Sequence, residues 1–136
     1  AAAKATMDFI DSSNVIENIE KNGSILMDKV KDLITNAKLN SVVSIEGYPQ
    51  RNVFVFKNHE NISADDIRTY WMQELTKRGV LTLGYHMPSY AYQDKEIEFL
   101  CSVYYDVLND IYRSINDGSL LDKLQCPPSS KFSIRD

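Results

Sequence analysis

The sequence predicts a small α+β domain: a mainly antiparallel three-stranded sheet with helices packed on one face. Three observations carry this reading. Two short runs rich in β-branched and aromatic residues, 41–45 and 52–57, flank a Gly-Tyr-Pro-Gln turn, close enough to form a hairpin. Long stretches with apolar residues three and four apart stand on either side of them. The order of elements is helix, helix, strand, strand, helix, strand, helix, so the third strand has to pair with one of the first two.

Residues 1 to about 10 read as helix, and Asp11-Ser12-Ser13-Asn14 breaks it. Ser13 or Asn14 then caps a second helix, with Glu17 as the capping partner. Val15, Ile16, Ile19, Leu26, Val30, Leu33 and Ile34 give it an apolar stripe to about Ala37, with one gap. Gly23 sits in that gap, where glycine costs about 1 kcal/mol against alanine. A close approach of another element accounts for it. The run 41–45 is the first strand and 52–57 the second. Val53-Phe54-Val55-Phe56 is apolar without alternation, so both faces are covered or one meets a partner. Ser63 caps a third helix with Asp65 and Asp66 in its first turn and Ile67, Tyr70, Trp71 and Leu75 inward. Lys77, Arg78 and Gly79 end it. Residues 80–83 (Val-Leu-Thr-Leu) are the expected third strand. An aromatic loop, 84–93, leads to a fourth helix whose stripe runs Ile97, Leu100, Cys101, Tyr104, Val107, Leu108, Ile111 and Ile115, the strongest periodic signal in the chain. Gly118 ends it, and Leu120, Leu121 and Leu124 add a short turn.

Composition bounds the function. The chain has 136 residues, one domain's worth. It is 43% hydrophobic and 25% charged, a globular composition. A net charge of −4 argues against nucleic acid, whose phosphates need a clustered positive surface. No apolar stretch is long enough to span a membrane, and no signal peptide is visible, so the expected location is cytoplasmic. The chain opens Ala-Ala-Ala-Lys-Ala-Thr-Met as if cut from within a helix, and the expectation is a piece of a longer polypeptide.

Candidate chemistry is sparse. There is no glycine-rich nucleotide loop and no Cys/His metal cluster. Cys101 reads as a core residue and Cys126 as inert. His59 reads as solvated. His86 is either loop packing or a ligand-facing residue. Asp65/Asp66 and Glu96/Glu98 are explained by helix starts. Lys4 has nothing around it to lower its pKa for a Schiff base. Arg51, after a proline turn and before the second strand, is either solvated or able to fork onto a carboxylate or phosphate. Tyr85, Tyr90 and Tyr92 line a pocket or cap the sheet. The residues by themselves describe a foldable domain without a self-contained active site.

Three segments in order carry a resemblance. They are Gly47-Tyr48-Pro49-Gln50-Arg51, then 72–81 (Met-Gln-Glu-Leu-Thr-Lys-Arg-Gly-Val-Leu), then 84–97, with Gly84-Tyr85-His86-Met87-Pro88-Ser89-Tyr90-Ala91-Tyr92 at its head. Together they resemble the C-terminal part of class III aminotransferases, of the glutamate-1-semialdehyde aminotransferase (aminomutase) type. The pattern is similar to Q-E-[LM]-x-x-R-G-V-L followed by a G-x-H-x-x-S-x-A-[HY] loop. The resemblance covers nearly the whole chain.

It implies a parent enzyme using pyridoxal phosphate, in which a large domain of the same chain carries the cofactor lysine, the acid facing the pyridinium and the phosphate cup. This chain is then the small C-terminal domain, which binds no cofactor alone and closes the substrate cleft. Residues 1–12 are the end of the helix leading out of the large domain, 13–126 the small domain and 127–136 a tail. The parent is expected to be a homodimer. Arg51, Gly84, Tyr85, His86 and Ser89 are the expected cleft residues, with no catalytic residue, cofactor ligand or metal ligand of the chain's own. Aminomutases proper carry a glutamate just ahead of the loop; here Gly84 or Tyr85 takes its place, which leaves a related transamination open. Two expectations remain to be weighed: an exposed apolar surface around the second strand and the 84–92 loop, left by the missing large domain, or a stand-alone α+β module that dimerises through it.

Overall fold

The computed structural model describes residues 2–128. The elements are α1 (Ala2–Ser12), α2 (Val15–Asn36), β1 (Val43–Tyr48), β2 (Arg51–Phe56), α3 (Ala64–Lys77), β3 (Tyr85–His86) and α4 (Asp94–Asn116), with a 3-10 turn at Leu121–Lys123. The sheet has the order β1-β2-β3 and is antiparallel throughout. β1 and β2 form a hairpin in which Tyr48 faces Arg51 and Val43 faces Phe56. The predicted α+β class and the helices on one face are what the fold shows.

Strand periodicity divides the sheet into two faces. Val43, Ile45, Asn52, Phe54 and His86 point inward and are buried. Phe54 meets Trp71 of α3 at 4.6 Å between ring centroids and Tyr104 of α4 at 5.4 Å. The apolar faces of α2, α3 and α4 close over the same cluster. α1 has no buried residue, but its Phe9 packs edge-on against Tyr90 with ring centroids 5.5 Å apart.

The third helix starts as the sequence indicates. The Ser63 hydroxyl accepts from the Asp66 amide, and the Asp66 carboxylate accepts from the Ser63 amide. α2 does not start by the expected cap: Asn14 is left-handed (φ 47°) and its side chain makes no capping bond. The chain instead turns between α1 and α2 at Asn14, a residue type that tolerates this conformation.

The third strand is displaced from the expected 80–83 to Tyr85–His86. The cause is the end of α3. Val80 donates its amide to the Leu75 carbonyl and Gly79 donates to Thr76, closing the helix with a Schellman motif. Val80 is buried there, whereas Leu81 is 88% exposed. Thr82 then accepts the Gly84 amide through its hydroxyl, so the chain first joins β2 where the Phe54 amide reaches the Gly84 carbonyl at 2.8 Å.

Across α3 and α4, Glu74 accepts from Lys77 and Arg78, and Arg78 continues to Asp110 at 2.6 Å. Burial pushes the Glu74 carboxyl up, but hydrogen bonds from Lys77, Gln73 and Arg78 outweigh it and hold the pKa at about 2.

Gly23 is explained by a close approach, as expected. A Cβ built there would lie 2.1 Å from the Pro49 carbonyl oxygen of the β1–β2 turn. Backbone cannot yield cheaply to such a contact. Gly23→Ala is therefore expected to lower stability by about 1–3 kcal/mol, against its helix-propensity gain. Urea unfolding followed by Trp71 fluorescence measures this, since Trp71 is the chain's one tryptophan and is fully buried. A variant as stable as the parent contradicts the close packing.

Candidate functional site

The face of the sheet turned away from the helices is uncovered. Arg51, Val53 and Val55 of β2 share it with Glu46 and Tyr48 of β1 and Tyr85 of β3, by register. Tyr48 is 78% exposed, Leu83 55% and Tyr85 45%. The expected exposed apolar surface near the second strand and the 84–92 loop is thus present. Arg51 makes no ion pair among the described residues. It lines a shallow cavity of about 270 Å³ with Asn52, Val53 and Tyr85. A second cavity, about 230 Å³, opens at the edge of β2 beyond β3, between Val55, Leu83, Gly84 and the Asp65 and Arg68 side chains of α3.

Gly84 lines the second cavity with φ +99°, a conformation that favours glycine. Arg51 and Tyr85 therefore share one cavity, and Gly84 lines the neighbouring one, with Val53 common to both. Ser89 is not with them. It lines a separate apolar groove of about 400 Å³ with Ile16, Ile19, Gln50, Met87 and Pro88. Its hydroxyl accepts the Ala91 amide at 3.3 Å.

His86 takes the packing alternative. Its backbone joins β3, but its ring points inward and is 5% exposed. Nδ1 lies 2.7 Å from Asn52 Oδ1, and Nε2 faces the Tyr104 hydroxyl. The Asn52 amide nitrogen donates to the Pro49 carbonyl at 3.4 Å, which turns Oδ1 toward the histidine. The tautomer follows: Nδ1–H donates to Asn52, and Nε2 accepts from Tyr104. Burial pushes the imidazole down to about 4 and pushes the Tyr104 phenol up. A neutral imidazole in the core holds β3 to α4; it faces no solvent. The sequence reading placed Asn52 in the second strand and Tyr104 on the stripe of the fourth helix, but gave neither a role beside His86. An asparagine in step with the inward Phe54 and Phe56 was the available signal for the first. Tyr104 is indistinguishable by spacing from its apolar neighbours.

The described residues offer no built seat for an aldimine with pyridoxal phosphate. An aldimine lysine needs a desolvated amine, yet every described lysine is exposed. None lines either cavity of the open face. No group of His, Cys, Asp and Glu among the described residues is placed to hold a metal. No described helix is long and apolar enough to cross a membrane. Cys101 is half-buried, where burial pushes its thiol up, and Cys126 is exposed.

No protein-family model matches the sequence, and no curated relative matches it either. Solved structures do. A transaminase with pyridoxal phosphate bound superposes with a TM-score of 0.64 at 16% identity, covering 72% of this chain and 24% of that one. The FumI protein of Sphingopyxis sp. MTA144, in its pyridoxal-phosphate internal aldimine form, superposes with a TM-score of 0.72 at 19% identity, covering 85% and 27%. The chain has the fold of one part of these transaminases. It spans about a quarter of their length.

The buried histidine makes stability acid-sensitive. Its folded pKa, about 4, lies below the ordinary 6.5 of a free imidazole, so the unfolded chain takes up a proton that the folded one refuses. This contribution is complete above pH 6.5 and is lost as pH falls toward 4, by about 3 kcal/mol in all. Unfolding curves at stepped pH should show the loss, and His86→Gln should flatten it over that interval. Parallel profiles for the two proteins would exclude a neutral buried imidazole.

Proposed function

We propose that this chain is the small C-terminal domain of a pyridoxal-phosphate-dependent aminotransferase, closing the substrate cleft over a cofactor held by a larger domain of the same parent. The observation that carries the reading is a fold match to about a quarter of two transaminases, joined to an open, partly apolar sheet face. In this reading the uncovered face packs against the larger domain. Bound there, the cofactor supplies the electron sink; Arg51, Gly84 and Tyr85 shape the wall. Arg51, unpaired among the described residues, offers a planar fork to a carboxylate. The ordered motifs 72–81 and 84–92 favour the class III, semialdehyde-aminotransferase branch. Gly84 and Tyr85, standing where aminomutases carry a glutamate, favour a related transamination of an amino or keto substrate. Ser89 lines the flank of the wall, and His86 supports it from inside. The parent works as a cytoplasmic homodimer.

Mixed with pyridoxal phosphate, the chain is expected to form no stoichiometric aldimine on a specific lysine, while the parent protein does. Absorbance and borohydride trapping with peptide mapping decide it; a specific, stoichiometric adduct on this chain alone overturns the reading.

The same open face supports a second reading, a stand-alone module that pairs through it. The strength of self-association separates the two, and Val53→Lys shows that it runs through this face. Val53 faces Glu46 across the hairpin, so the lysine is tolerated there and places a charge on the apolar face. The first reading expects weak, concentration-dependent self-association that this variant abolishes without loss of stability. Sedimentation velocity checks it, and a tight dimer at low micromolar concentration selects the second reading.

A further inference from the structure

The gap in the apolar stripe of α2 holds two buried residues, Asn22 and Gly23. An amide buried without partners is costly, so its hydrogen bonds show what it is for. Asn22 Nδ2 donates to the Tyr92 carbonyl at 2.6 Å and to Asn18 Oδ1 at 3.1 Å. Tyr92 closes the loop after β3. That loop is otherwise bonded to itself: the Tyr92 amide donates to the Ser89 carbonyl, and the Gln93 side chain donates to the Tyr90 carbonyl. Among the described hydrogen bonds of residues 88–92, the one from Asn22 leads to another element; the rest stay in the loop or run on to Gln93 at the start of α4.

Gly23, the next residue, receives the other segment. The Pro49 carbonyl of the β1–β2 turn rests where its Cβ would be. The two segments are also joined to each other away from α2. Pro49 accepts from Asn52, Asn52 accepts from His86, and His86 precedes the loop. Turn, loop and helix therefore form a closed triangle of contacts with one corner at two consecutive residues of α2.

We propose that Asn22 and Gly23 are positioning residues that make the 48–51 turn and the 87–92 loop move as one body with α2. A helix is stiff over one turn, and packed contacts switch between arrangements more readily than they stretch. A displacement of the first turns of α2, which carry α1, is thus delivered to both segments together. In the aminotransferase reading, on which only this consequence rests, the two flanks of the cleft wall open and close in concert. The triangle itself belongs to this chain and needs no cofactor.

Amide hydrogen exchange and NMR chemical shifts on the chain test it, with Asn22→Ala and Gly23→Ala as variants and Ser114→Ala as a control. Ser114 is buried beside Tyr70 and Lys123, remote from the triangle in its contacts. Asn22→Ala removes one bond to the loop and one within α2 but none to the turn, yet is expected to perturb the Arg51 and Asn52 amides as well as Tyr92. Exchange at these should rise roughly tenfold relative to Val107 and Leu108 in the core, the signature of local opening. Gly23→Ala touches the turn alone and is expected to shift signals in the 87–92 loop; if it does not fold, Asn22→Ala carries the test. Ser114→Ala leaves both segments in step with the core. Changes confined to the segment each variant touches overturn the proposal. So does an equal rise at Val107 and Leu108, which marks a loss of global stability. Neither result bears on cofactor chemistry, which the aldimine test decides separately.

Discussion

Phe54 stands at the centre of the structure because β2 is the middle strand and Phe54 is its middle inward residue. It touches Trp71, Tyr104 and the His86 ring. Tilted and edge-on contacts of this kind add to the large apolar area that each ring buries. They bring α3, α4 and β3 to a single point. Once this residue faces inward, strand periodicity decides the rest: Asn52 must also face inward, and Arg51, Val53 and Val55 must face out. The open face is thus a consequence of how the core is filled.

Polar groups then select one register from those the aromatic core alone would allow. β3 has two residues and so contributes little ladder. What holds it is side-chain chemistry: His86 bridges Asn52 in the neighbouring strand and Tyr104 in α4. A slip of one residue would turn His86 outward and leave Asn52 and Tyr104 buried without it. Asn22 does the same for the loop that follows. Buried polar networks of this type rigidify where every member is satisfied.

Function follows from the contrast between the two faces. The inner face is closed by three helices and by hydrogen bonds that leave His86 no exposed edge. The outer face presents Tyr48, Val53, Leu83 and Tyr85 with a single arginine whose guanidinium has no carboxylate partner among the described residues. A surface of that composition suits burial against another protein layer better than it suits solvent. The proposed place of this unit, against a larger domain, rests on that asymmetry together with the transaminase fold.

Local rules already determined much of this in the sequence. The capping box at Ser63, the stripe of α4, the hairpin around Pro49 and the tight approach at Gly23 each depend on neighbours within a few residues or on one conspicuous glycine. The α+β class followed from their order. Tertiary structure decided the remainder. Residues 80–83 have strand-like composition, but Val80 closes α3 and the strand begins only after Gly84. Arg51 and Tyr85 were separable from Ser89 only once the sheet existed, because Tyr85 and Ser89, four residues apart across a strand end and a loop, line different cavities. The inward turn of His86 depended on Asn52 and Tyr104, which lie 34 and 18 residues away. Spacing encodes which side of an element a residue occupies; which partner waits there is set by long-range packing, where the hydrogen-bond requirements of buried groups are met.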